Sequence, residues 1–311
     1  MPTQEKVADR TVIESMRVGM AGGMYPVPES VPDEEKAAWL VRRSAELGCR
    51  AAQVRDLPTT DEGRKSLRAL AESHDIELHM STRSVFAPLG QPVPDKQAED
   101  LRHELGVART LGMPVVRSGY GRLTVETSRY APGVDVAAHL RHVGACLRQA
   151  AKIAEESGVL LAVENHCDFT GRELAGVLAE VGSEHIGAAL DTANGYTVFC
   201  DPNDDVEALA EFAFTTHMKD MRMEPSPLRG LIPINPRGCP LGEGHVDLPR
   251  AVELIAARSP RARGLHLLVE AGWDTFDGPG ARATQIRRDL LEHGVRYLNQ
   301  LVAPGASEVS S

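Results

Sequence analysis

Short apolar runs alternate with longer segments of helical period along the whole chain. The runs at 17–25, 49–57, 76–81, 113–121, 159–166, 185–194, 214–221 and 264–272 read as strands. The segments 32–48, 61–74, 94–112, 134–158, 171–182, 205–213, 247–259 and 281–302 carry apolar residues three and four apart and read as helices. Asp247 is placed to cap the helix that follows it. Strands alternating with helices imply parallel pairing. Eight such units predict a (β/α)8 TIM barrel, a fold that takes about 250 residues. A doubly wound sheet competes, but no G-x-G-x-x-G turn follows the first strand. The expected boundaries are an N-terminal extension at 1–16, one barrel at 17–302 and a disordered tail at 303–311. The polar, Pro-rich stretch 222–246 breaks the pattern and reads as an active-site loop, because long loops in compact domains are usually functional.

Strand alternation sorts side chains by face. At 159–166, Val159, Leu161 and Val163 turn toward the helices, whereas Leu160, Ala162, Glu164 and His166 turn into the barrel. The same parity turns Ala189 and Asp191 inward, then Thr215, His217 and Lys219, then His266, Leu268 and Glu270. Glu164, Asp191, His217 and Glu270 thus stand at the C-terminal ends of four consecutive strands, the rim where barrel enzymes build their sites. Three neighbouring carboxylates repel one another and are costly to bury unless paired or bound to a metal. Three carboxylates and one imidazole form a mostly hard-oxygen set suited to one divalent ion, Mn²⁺ or Mg²⁺ first, with Co²⁺ or Zn²⁺ as alternatives.

Composition narrows the partners. Of 311 residues, 34 are Lys or Arg and 44 are Asp or Glu, for a formal net charge of −10. That balance excludes a general nucleic-acid binder, which needs a basic face, while local arginines can still capture a small anion. No run approaches the roughly 18 apolar residues of a membrane span. The charged N-terminus has no secretory h-region, and the 5 cysteines form no C-x-x-C pair. These features point to the cytoplasm and a reducing environment. A homo-oligomer or a partner subunit is compatible with all of them. His79, His103, His142 and His266 read as structural.

The runs VENH (163–166), LDTAN (190–194), HMKD (217–220), PLGEGHVDL (240–248) and LLVE (267–270) occur in this order. As an ordered set they resemble the xylose isomerase-like barrel superfamily, specifically its sugar phosphate isomerase/epimerase branch. The resemblance implies that Glu164, Asp191, His217 and Glu270 bind one metal, usually Mn²⁺, and that the substrate is a small carbohydrate. There are departures. The family's strand 2 often ends in a Glu that touches the substrate or its lid, where AAQVRD offers Gln53 and Arg55. The three-metal endonuclease IV relatives use a D-x-x-H that is Asp191…Asn194 here, which speaks against DNA repair.

The resemblance implies Lewis-acid grip on a hydroxy-ketone and an enediolate formed by loss of the α-proton. Glu164 and Glu270 are the candidate bases, with His166 and Lys219 as further catalytic candidates. Arg117, Glu243 and His245 are candidates for substrate binding. The leading expectation is a metal-dependent sugar or cyclitol isomerase or epimerase. The alternative is a lyase on the same scaffold: a dehydratase, or an enzyme that eliminates from an oxidised glycoside, C-glycoside cleavage included. A non-enzymatic partner subunit is a third reading, opposed by the intact ligand set.

Overall fold

Thr60, Asp135, Thr170 and Asp247 each stand just before a run of helical period, and each side chain accepts a backbone N–H of the first turn that follows. Thr170 and Glu173 complete a reciprocal capping box. The computed structural model describes residues 8–124, 126–225, 234–272 and 281–303. Its parallel strands are β1 (Arg17–Ala21), β2 (Ala51–Gln53), β3 (Glu77–Thr82), β4 (Val115–Gly119), β5 (Leu160–Glu164), β6 (Ile186–Asp191), β7 (Ala213–Met218) and β10 (His266–Val269). They close into a barrel in the order β1-β10-β7-β6-β5-β4-β3-β2. The helices around it are α2 (Lys36–Glu46), α3 (Asp61–Ser73), α4 (Asp95–Thr110), α5 (Val136–Ser157), α6 (Gly171–Val181), α7 (Pro202–Leu209), α8 (Leu248–Arg258) and α9 (Ala281–Val302).

Two elements escape the alternation. A short helix α1 (Arg10–Ser15) lies within the expected extension. It buries Ile13, and Arg10 Nη2 donates to the Val302 carbonyl at 2.7 Å. The stretch 222–246 opens on an antiparallel hairpin, β8 (Met221–Pro225) with β9 (Ile234–Gly238). Residues 1–7 of the expected extension, 226–233 of the expected loop and 304–311 of the expected tail lie outside the described residues.

Val159, Leu161 and Val163 pack in the layer between strands and helices. Leu160, Ala162, Val115, Ala189 and Phe214 pack inside the barrel. Between β6 and β7 the register slips by one, so that Ala188 pairs with Ala213 and Ala189 with Thr215. The slip lies before Thr215, so parity from Thr215 onward holds. Among the described residues no helix is long and apolar enough to cross a membrane.

The base of the barrel is polar. Glu77 meets His266 Nε2 at 2.6 Å and Arg17 Nε at 3.4 Å, and His266 packs edge-on against His79 with ring centroids 5.7 Å apart. Burial raises Glu77, but His266 and Arg17 outweigh it and hold the carboxyl below its ordinary value. A depressed folded pKa stabilises the fold above the unfolded value of about 4.3, and that contribution is lost as pH falls through the folded value. Glu77→Gln is therefore expected to cost about 1.5–3 kcal/mol at neutral pH, with the gap to wild type closing below about pH 4. Urea titrations at neutral and acidic pH measure this. An equal gap at both would remove the Glu77 charge from the stabilising groups.

Candidate metal centre and substrate mouth

The local structure at the strand ends aims the inward carboxylates. Beyond the last β5–β6 pair, Glu164 with Ala189, the Asn165 side chain takes over the ladder. Its Nδ2 donates to the Asp191 carbonyl at 2.9 Å, and its Oδ1 accepts the Asp191 N–H at 2.8 Å. Thr192 does the same between β6 and β7: its hydroxyl donates to the Lys219 carbonyl at 2.6 Å and accepts the Lys219 N–H at 2.8 Å. Asp191 Oδ1 accepts the N–H groups of Ala193 and Asn194, both at 2.9 Å. That leaves Oδ2 to face the barrel axis.

Glu164, Asp191, His217 and Glu270 each present one ligand atom, and these atoms lie within 4.8 Å of one another. Glu164, Asp191 and His217 are buried. Glu164 Oε2, Asp191 Oδ2, His217 Nδ1 and Glu270 Oε2 are shielded from solvent and lack a well-directed hydrogen bond. Charged neighbours are nevertheless close: His217 Nδ1 is 2.8 Å from Glu270 Oε2, and Lys219 Nζ is 3.0 Å from Asp191 Oδ2 and 3.3 Å from Glu270 Oε2. One ligand atom from each of four side chains, three of them carboxylate oxygens, converging this closely is what a divalent ion requires of its donors.

Each proposed base has a cation beside it. Arg117 pairs with Glu164 Oε2, and Asn194 Nδ2 donates to Glu164 Oε1 at 3.3 Å. Burial raises Glu270, yet Lys219, His217 and Arg117 hold it well below the usual carboxylate range. Burial works against the Lys219 ammonium, but Asp191 and Glu270 outweigh it and raise its pKa. Gln53 Oε1 lies 3.2 Å from His217 Nε2, so the residue at the family's usual Glu position braces the imidazole. Burial, Lys219 and Arg117 together lower His166, leaving it a neutral imidazole.

Above this group opens a cavity of about 860 Å³, lined in part by His166, His217, Glu270, Gln53, Met24, Phe86 and Tyr120. Arg55, Arg83, Arg117 and Arg122 share its wall. The carboxylates and the imidazole therefore come from β5, β6, β7 and the end of β10, while the arginines come from β4 and from segments after β2, β3 and β4. Another hollow, at the opposite end of the barrel, is lined by Val115, Leu160, Phe214 and His266, away from the carboxylate set.

The structure brings Glu164, Asp191, His217, Glu270, Lys219 and His166 together as the parity argument expects, and sets Arg117 beside Glu164. It does not bring Glu243 and His245 to the cavity. Both are exposed, and His245 Nδ1 accepts the Met223 N–H at 3.0 Å, bracing the hairpin. The glycines of PLGEGHV wrap a carboxylate of the chain itself. Asp220 accepts the N–H groups of Met221 at 2.9 Å, Gly242 at 3.0 Å, Gly244 at 2.9 Å and Val246 at 3.2 Å. A Cβ at Gly244 would stand 2.0 Å from Asp220 Oδ1, so only glycine fits there. Burial raises Asp220 despite those four N–H groups. Asp220→Ala leaves several backbone donors unpaired and is expected to cost about 3 kcal/mol. Faster amide exchange at Gly242, Gly244 and Val246 is the direct readout; unchanged exchange there would deny the anchoring role.

Comparison with known proteins agrees with this architecture. The family described as the xylose isomerase-like TIM barrel matches residues 41–301. A curated relative, 3-oxo-isoapionate decarboxylase of Pectobacterium atrosepticum, is 22% identical over 272 residues, covering 86% of this chain and 89% of its own. Among solved structures, a xylose isomerase-like TIM barrel protein from Mycobacterium smegmatis in complex with magnesium superposes with a TM-score of 0.64 at 17% identity, covering 93% of this chain and 97% of the other. D-psicose 3-epimerase in the presence of D-fructose gives 0.65 at 15% identity, covering 93% and 100%.

Proposed function

Because the chain belongs to the xylose isomerase-like TIM barrel family, we propose that it is a divalent-metal-dependent isomerase or epimerase that moves a proton on the carbon beside the carbonyl of a keto sugar or cyclitol. The observation that carries this reading is the convergence of Glu164, Asp191, His217 and Glu270, with ligand atoms within 4.8 Å of one another. Their oxygen-rich donor set fits Mn²⁺ first, then Mg²⁺, Co²⁺ or Zn²⁺. When bound there, such an ion supplies Lewis acidity to a carbonyl and its neighbouring hydroxyl.

The rest is done by the chain's own groups. In the ring of strands, β6 and β7 stand between β5 and β10, so Glu164 and Glu270 face each other across the site. Lys219 beside Glu270 helps keep that carboxylate ionised, the form that accepts a proton, and Arg117 pairs with Glu164. Two bases on opposite faces suit epimerisation; one base with a relay suits isomerisation. Lys219, held beside the ligand set by Asp191 and Glu270, offsets negative charge there. Neutral His166 stands in the cavity wall, where it can pass a proton to a substrate oxygen.

A lyase is the second reading, favoured by the likeness to a decarboxylase. Both chemistries begin by placing negative charge on the carbon beside a carbonyl. Elemental analysis of the purified protein tests the metal, and incubation with keto sugars in D₂O tests the proton transfer. Deuterium uptake at the α-carbon with the carbon skeleton intact supports the isomerase or epimerase. Release of CO₂ or of a β-substituent supports the lyase, and absence of metal would sink both.

A further inference from the structure

The wall of the mouth facing the carboxylates carries mostly one sign of charge. Arg55, Arg83, Arg117 and Arg122 line the cavity, against Asp56 and Glu270. The chain as a whole is acidic, with a formal net charge of −10, so the cluster is a local reversal rather than a reflection of composition. Arg55, Arg83 and Arg122 have no carboxylate partner within salt-bridge distance among the described residues. Like charges gathered without internal partners repel one another, and an anion in the cavity relieves that repulsion.

Two of the four are fixed in place. The buried Asp168 carboxylate accepts the N–H groups of Gly121 and Leu123, both at 2.8 Å, and so pins the chain on either side of Arg122. Arg122 Nη2 also donates to the Phe86 carbonyl at 2.8 Å. Arg117 rests on Glu164, itself one of the converging carboxylates. The positive wall therefore begins one side chain away from the reacting atoms.

We infer that the substrate is a sugar acid, with a carboxylate attached within one or two bonds of the carbonyl and hydroxyl that face Glu164, Asp191, His217 and Glu270. The wall that Arg55 and Arg122 share with Arg117 adjoins the converging carboxylates, which selects a carboxylate on the reacting part of the molecule over a phosphate ester at its far end. The planar guanidinium fork matches a carboxylate in two parallel hydrogen bonds. This inference rests on the metal-centre reading above and adds the substrate class to it.

Three hydroxamates sharing one metal-chelating head separate the two ideas. Acetohydroxamate has no charged tail, malonomonohydroxamate carries a carboxylate beside the head, and phosphoglycolohydroxamate carries a phosphate ester further out. Calorimetric titration of the Mn²⁺-loaded protein should show malonomonohydroxamate binding at least tenfold more tightly than either of the others. Arg55→Gln combined with Arg122→Gln should bring it down to the acetohydroxamate level while acetohydroxamate itself binds unchanged. Salt should weaken only the charged probes. Because Arg117 is already engaged by Glu164, the carboxylate is held by Arg55 and Arg122, so equal affinities for all three, or a carboxylate preference that survives the double substitution, would overturn the sugar-acid assignment. Tightest binding of phosphoglycolohydroxamate would overturn it in favour of a phosphorylated substrate. If none of the three binds, the metal-centre reading falls, and the inference with it.

Discussion

Glu164→Gln and Glu270→Gln are each expected to lower turnover by at least about a hundredfold, the low end of what a positioned general base supplies. The amide has nearly the size of the carboxylate and can still offer an oxygen ligand, but it cannot take a proton at neutral pH. The two variants should differ in the cation they leave unpaired. Glu164 is buried and paired with Arg117, so its replacement leaves that guanidinium without its carboxylate partner and should lower the unfolding temperature. Glu270 neighbours both His217 and Lys219, so its replacement leaves the buried ammonium with Asp191 as its remaining carboxylate neighbour in the ligand set. Some loss of thermal stability should accompany the loss of rate. Steady-state kinetics on the true substrate, with metal content and unfolding temperature measured alongside, decide the matter. A near-normal rate in either variant would reduce that residue to a ligand.

His217→Ala is expected to remove most of the bound metal. The site loses one of four converging donors and gains at best a water in its place. Substituting residues that merely support metal ligands commonly costs about 10–100-fold in affinity, and loss of a ligand itself should exceed that. The imidazole also sits between Gln53 and Glu270, so its removal loosens two neighbours as well. Elemental analysis after dialysis against metal-free buffer measures the effect; full occupancy in the variant would sink the assignment.

Glu164, Asp191, His217 and Glu270 were legible because strand parity is strict and the barrel places every strand's C-terminal end on one rim. Asn165 and Thr192 were not. Both lie one residue off the inward parity, and they act through backbone groups of a neighbouring strand, a partnership that no spacing in one strand reveals. Asp220 escaped for a similar reason: its partners are N–H groups of residues 221–246, and an N–H carries no sequence signal. The GEGH glycines permit a close approach, and the group approaching is Asp220. Arg83 and Arg122 sit beyond their strands, where alternation no longer dictates direction. Helix α1 and the β8–β9 hairpin were hidden because one is too short to establish a period and the other interrupts the βα rhythm.

The barrel is split lengthwise. The converging donors belong to the run of neighbours β10-β7-β6-β5, and the arginine wall belongs to β4-β3-β2 and the segments after them. A protein divided in this way can be retargeted by transplantation. Segments 54–58, 82–92 and 119–131 from a sister protein, grafted together, would exchange the molecule admitted and spare the donors beneath. Three stitches cross the seam and set the terms of such a graft: Gln53 against His217, Arg117 against Glu164, and Asp168 under the backbone of Gly121 and Leu123. A chimera that keeps all three should retain its metal while changing its diet. One that cuts the Asp168 stitch leaves a buried carboxylate without its donors, and should fail by misfolding before specificity can be read.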